Sequence, residues 1–240
     1  MAKALEKWEV QHHGPLREVD EGILTVEGTI RMPLGNFPRR MTVVALAAGG
    51  TIIFSAIALG EADMRSIEAF GTPKFMVVPS AHHRLDAKVW KQRYPDIRVL
   101  APAGARANVQ DVVNVDATTD IFADAGVTFL TVGGTGEREA ALLVTRSGDK
   151  TLVSNDVIAH VAHPDGLGAK VMARFMGFGV KRPQVPGVVQ RVVVNDKHAL
   201  AAQFREWSRD EDLRRIIVSH GDIIEQPRAV LASLAETLEH

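Results

Sequence analysis

KFMVVPSAHHRLDAKVWKQRYPDIRVLAP, residues 74–102, is the stretch whose reading decides the fold. The apolar run KFMVVP reads as a buried strand, because it is too short for a helix and is bounded by turn residues. It opens directly into Ser80-Ala81-His82-His83-Arg84-Leu85-Asp86, all polar or ligand-capable apart from Ala81 and Leu85. A helix is expected from about Leu85 to Tyr94 and a second strand at IRVLAP. Strand, polar exit, helix, strand is the rhythm of a layered α/β protein.

The rhythm extends in both directions. Upstream, EADMRSIEAFG reads as a helix with Met64, Ile67 and Phe70 on one side and Gly71 placed to stop it. Before it, ILTV (23–26), MTVVAL (41–46) and TIIFSAI (51–57) read as a strand meander separated by turn residues. Downstream come a short helix near Ala103–Val109 and strands at VTFLTV, AALLVT and KTLVSN. Residues 166–195 carry Lys170, Arg174, Lys181, Arg182 and Arg191 with no acidic residue, and read as one helix followed by a Pro/Gly-broken loop. The chain closes with a helix at 196–207, the strand RRIIVSH and a helix after Pro227, a residue suited to a first helical turn. The expected class is α/β with both sheet faces covered.

Composition narrows the function. With 28 Lys+Arg against 29 Asp+Glu, no net field exists to hold a polyanion, which argues against nucleic acid as a partner. The absence of cysteine removes disulfides, thiolate zinc sites and cysteine nucleophiles, so any metal must use His and carboxylate. No segment has the apolar length of a membrane span or signal peptide, and a cytoplasmic location with no membrane partner is the default expectation. One domain over residues 1–237 is expected, with Leu238-Glu239-His240 set aside as the start of a vector-encoded tag.

Three apolar strands end in residues able to bind a metal: KFMVVP into His82, His83 and Asp86, KTLVSN into Asp156, and RIIVS into His220-Gly221-Asp222. A sheet holds strand ends rigidly while their side chains face an open rim, which a metal or catalytic site requires. Imidazoles plus carboxylate suit zinc, or iron or manganese where more oxygen is present. Each feature also has a plain reading. The histidine pair can be an ordinary loop, Asn155-Asp156 a cap, and Gly221-Asp222 a turn. His160 lies four residues after Asp156, on the same face if that region is helical, with His163 close by. His12, His13 and His198 read as surface residues, the first two on a mobile N-terminal arm. Gly133–Gly136 reads as a tight turn and not as a phosphate loop, because it lacks the Lys-Ser/Thr that follows in such loops.

The order of these elements resembles the metallo-β-lactamase superfamily, in particular its DUF4336-like branch, across RRMTVVALAAGGTIIFSAIAL, IEAFGTPKFMVVPSAHHRLDAKVWKQRYPDIRVLAP and TLVSNDVI. The resemblance implies a four-layer αββα sandwich. Its first motif, His-x-His-x-Asp-His, should follow KFMVV and fits in two registers. In one, His82 takes the first position, Arg84 replaces the second His, Asp86 fits the Asp and Ala87 replaces the last His. In the other, Ala81 replaces the first His, His83 takes the second, and Asp86 falls on the last. The next histidine of the family corresponds to the Gly134-Thr135-Gly136 turn and is missing. Asp156 matches the bridging aspartate and His220 the final histidine.

The resemblance thus implies a reduced, mononuclear centre drawing on His82, His83, Asp86, Asp156 and His220, with Asp86 orienting the attacking water of a metal-dependent hydrolase acting on a small molecule. The alternative is a catalytically inactive member that keeps the fold as a binding or structural module, without metal. Met and Phe in the 170–180 stretch make a homodimer a reasonable expectation.

Overall fold

The computed structural model describes residues 3–32, 35–162 and 177–239. Among these, a six-stranded sheet runs in the order β1 (Arg17–Asp20), β2 (Ile23–Met32), β3 (Gly35–Ala45), β4 (Thr51–Phe54), β5 (Pro73–Val77) and β6 (Arg98–Leu100). A four-stranded sheet has the order β10 (Leu213–Val218), β9 (Asp149–Ser154), β8 (Ala140–Arg146) and β7 (Val127–Thr131). The helices are α1 (Glu61–Phe70), α2 (Ala87–Arg93), α3 (Arg106–Gln110, entered through a 3-10 turn at Ala103–Ala105), α4 (Gly187–Val192), α5 (Lys197–Arg209) and α6 (Pro227–Glu239).

Why the layers form can be read from alternate residues, since successive strand side chains point to opposite faces. Val43, Ile53 and Met76 pack outward with Met64 and Ile67 of α1 and Trp90 of α2. Their neighbours Val44, Ile52, Phe54, Phe75 and Val77 point inward, where they meet Phe129, Leu142, Val153 and Ile217 of the other sheet. On the far side, Leu152, Ile216 and Val218 turn outward beneath Leu200 and Phe204 of α5 and Leu231 and Leu234 of α6. Helices, sheet, sheet, helices is the four-layer αββα sandwich that the resemblance implied.

Local chemistry sets the boundaries. The Asp196 carboxylate accepts the N–H of Ala199 at 3.0 Å, so it caps α5 and is not its first residue. The run TIIFSAI pairs as a strand only through Phe54, because Ser55 has φ 55°, a left-handed conformation that takes the chain out of the ladder. Asp156 and His160 do not share a helix: residues 155–158 form a turn, and His160 bridges Gly221 in a short parallel pair.

The N-terminal arm is held, contrary to the mobile segment expected. Leu5 N–H donates to Leu85 O at 2.8 Å, the Trp8 indole donates to Leu59 O at 2.9 Å, and Thr29 N–H donates to His12 O at 3.1 Å. Trp8 packs on Trp90, with ring centroids 5.7 Å apart, which gives the arm an apolar anchor. At the other end, Leu238 is buried in the outer core of the second sheet and Glu239 pairs with Arg205, so both serve α6. His163 and the Met- and Phe-bearing part of the basic stretch, residues 163–176, lie outside the described residues. Among the described residues no helix is long and apolar enough to cross a membrane.

Trp90 is fully buried, and its indole N–H donates to Ile57 O at 3.0 Å. Trp90→Ala should therefore lower the free energy of unfolding in urea by about 3–5 kcal/mol, with Trp8→Ala costing less because Trp8 is only partly buried.

Candidate metal centre

The C-terminal ends of β5, β9 and β10 come together at one edge of the sandwich. β9 and β10 are parallel neighbours, so Asp156 and His220, each two residues past its strand, emerge side by side. The loop after β5 in the other sheet brings His83 across the gap, pinned by its N–H to Ser80 O at 3.2 Å. His83 Nε2 lies 3.0 Å from Asp156 Oδ1, His220 Nε2 lies 2.9 Å from the same oxygen, and the two Nε2 atoms are 3.2 Å apart. All three side chains are at most 10% exposed.

The structure therefore gathers His83, Asp156 and His220 of the five residues read from the sequence. His82 is exposed on the rim of the adjoining cavity, outside this group. Asp86 points elsewhere: one carboxylate oxygen takes the Arg39 guanidinium in a fully buried ion pair, and the other accepts the N–H of Ala58 at 2.9 Å. Both of its oxygens are already engaged and it stands outside the His83, Asp156 and His220 group, so neither motif register delivers Asp86 to the cluster. Nor does His160 belong to the group.

The chemistry of the cluster fits a cation. His220 Nδ1 lies 2.7 Å from Pro38 O, which only accepts, so Nδ1 carries the hydrogen and a neutral ring presents the Nε2 lone pair to Asp156. His83 Nδ1 meets the Ser55 hydroxyl at 2.8 Å. Two imidazole nitrogens and a carboxylate oxygen thus face one another with at most one hydrogen among them if both rings are neutral, and a positive charge is what relieves them. Zinc legs of about 2.0–2.1 Å in tetrahedral array separate donors by roughly 3.3–3.4 Å, close to the contacts present. Burial pushes His83 below the usual imidazole range, more than Asp156 lifts it. Burial would raise Asp156, but the protonated forms of His83 and His220 outweigh it and hold the carboxyl well below its ordinary value. An ionised carboxylate that depends on positive charge beside it, and an imidazole that burial turns neutral, are the forms that bind metal.

Several supporting residues carried no signal in the sequence. Ser55 accepts its left-handed backbone where its hydroxyl orients His83, an outlier of the kind that gathers at functional sites. Phe37 and Phe178 pack on the His220 ring, with centroids 4.9 and 5.7 Å away. Glu139 is fully buried; its Oε2 accepts from Asn155 Nδ2 at 2.8 Å and from Asp156 N–H at 3.2 Å, fixing the turn that aims Asp156. Burial first, and then the Asp156 carboxylate, drive Glu139 well above the ordinary range.

One glycine of the turn where the resemblance places the missing histidine is fixed by sterics. Gly134 has φ +72°, and a Cβ placed on it would stand 2.1 Å from Asp196 O and 2.6 Å from Leu200 N. The N-terminus of α5 occupies the space a side chain would need.

No protein-family model matches the sequence, and no curated protein matches it. Solved structures do match. A metallo-β-lactamase from Pontibacter korlensis superposes with a TM-score of 0.64 at 11% identity, over 94% of this chain and 99% of that one. The chain has the metallo-β-lactamase fold. FIM-1 from Pseudomonas aeruginosa, solved in its mono-zinc form, aligns with a TM-score of 0.62 at 13% identity over 93% and 95% of the two chains. The metallo-β-lactamase DIM-1 gives 0.62 at 18% identity over 94% and 99%.

Two measurements probe the supports. Ser55→Ala should weaken zinc affinity by roughly 10- to 100-fold in competition with a chromogenic chelator, the usual cost of losing a partner that orients a metal-binding imidazole. Glu139 has a folded pKa raised above its unfolded value, so its contribution to stability is present below about pH 4.5 and is lost as pH rises toward the folded value. The melting temperature of wild type should therefore fall more steeply between pH 5 and 8 than that of Glu139→Gln.

Proposed function

We propose that the protein is a metal-dependent hydrolase with a single ion held by His83, Asp156 and His220, acting on a small molecule. What carries this reading is the meeting of two Nε2 atoms and Asp156 Oδ1 within 3.2 Å of one another. They meet at the wall of a 360 Å³ cavity, within the range of small-ligand sites. Within the fold, we place the chain in the DUF4336-like branch, on the order and wording of residues 39–59, 67–102 and 151–158. Zinc is the ion that two imidazoles and one carboxylate suit best.

When bound, the ion supplies Lewis-acid polarisation of a substrate oxygen and a water nucleophile at neutral pH. The chain's own residues do the rest. Asp156 contributes the negative charge, and Pro38 O fixes His220 as the Nδ1–H tautomer so that Nε2 faces the centre. Ser55 turns His83. Phe37 and Phe178 shield His220 on the cavity side and keep water from competing there.

One observation favours a second reading, a binding module with its hydrolytic chemistry reduced: the carboxylate best placed in the motif to orient water, Asp86, is consumed by Arg39. Plasma emission spectroscopy on untagged protein should find about one equivalent of zinc, iron or manganese, and Asp156→Ala and His220→Ala, folded by circular dichroism, should lose it. The same preparation should hydrolyse at least one member of an ester, thioester, amide and phosphodiester panel, with turnover abolished by chelator and restored by zinc. Metal retained without turnover would favour the binding module. Unchanged metal content in both variants would overturn the site.

A further inference from the structure

Arg39 lines the same cavity as His83, Asp156 and His220, and its side chain is 5% exposed. One terminal nitrogen, Nη1, serves Asp86. The other two, Nε and Nη2, are buried and have no hydrogen-bond partner among the described residues. These two are adjacent: Nε–H and Nη2–H lie parallel along one edge of the guanidinium plane, the fork that matches the two oxygens of a carboxylate. A buried donor without an acceptor is costly and rare, so an unfilled fork beside a cavity calls for a planar acceptor. Apart from Ser55, His82 and Asp86, the rest of the wall is apolar, with Phe37, Phe178, Val188, Val189, Val192 and Val193 among its residues, and Val192 is 53% exposed.

We propose that this cavity binds an amphipathic carboxylate, its acid head on the Nε/Nη2 edge of Arg39 and its hydrocarbon body along Phe37, Phe178 and α4. Asp86 is the positioning residue: by holding Nη1 it locks the guanidinium plane and leaves the fork free. As a statement about substrate class this rests on the hydrolase reading, with the scissile group near His83 and His220. As a statement about binding it stands without the metal.

The test is calorimetric titration of the full chain with octanoate and with octanol, once in chelator and once with one equivalent of zinc. Octanoate should bind at least tenfold more tightly than octanol in both conditions. Arg39→Lys, which keeps the charge and loses the fork, should abolish most of that preference. So should the double variant Arg39→Met with Asp86→Asn, which removes both buried charges and guards against misfolding from an unpaired Asp86. Octanol affinity, set by the apolar wall, should stay within about threefold in every variant. Equal binding of acid and alcohol in wild type, or a preference that survives in the double variant, overturns the proposal. A preference seen only with zinc also overturns it, assigning the acid to the ion and leaving the hydrolase reading intact. A chelator-resistant, Arg39-dependent preference in protein that binds no metal upholds the carboxylate site while the hydrolase reading fails.

Discussion

Asp156 Oδ1 is the atom at which the two halves of the molecule meet. It lies within hydrogen-bond reach of His220, delivered by its own sheet, and of His83, delivered by the loop of the other. With both rings neutral, at most one hydrogen is shared among these three atoms, so the junction holds a demand for positive charge in a largely buried place. Much of the surrounding structure keeps that demand from relaxing. Glu139 holds the backbone under Asp156, Pro38 O fixes one imidazole, Ser55 aims the other, and Arg40 reaches Gly221 O at 2.7 Å just beyond His220.

The layered architecture was legible because burial leaves a periodic imprint. Runs such as MTVVA in β3 and TIIF in β4 must face two different cores on alternate residues, and apart from one threonine each they are apolar for that reason. Asp156 and His220 were legible too, since a ligand-type residue directly after a buried strand has few other places to point. Asp86 was harder. Its spacing from His82 and His83 fits the motif, but the fate of a carboxylate depends on which cation is nearest, and Arg39 comes from a strand 47 residues earlier in the chain. Nothing local to Asp86 announces that partner.

The same limit explains what sequence reading passed over. Ser55 sits inside an apolar run and looked like a strand residue; its importance comes from one backbone torsion and from an imidazole 28 positions away. Glu139 in GEREAA resembles a solvated charge, yet it is sealed beneath the centre because Asn155 and the Asp156 amide supply donors to it. The N-terminal arm lacked any period, and its anchor is Trp8 on Trp90, a contact between distant residues. In each case the deciding term is long-range and specific, whereas pattern carries only what is short-range or repeated.

The tight seat of α5 against Gly134 also bears on how this centre can change over generations. Placing a side chain at that position takes more than an altered codon, because it would collide with main-chain atoms of Asp196 and Leu200, and the whole helix would first have to retreat. That helix also roofs the outer core through Leu200 and Phe204, so its retreat would uncover apolar surface. Packing therefore keeps position 134 a glycine, and change at this edge of the molecule is left to the residues that line the cavity.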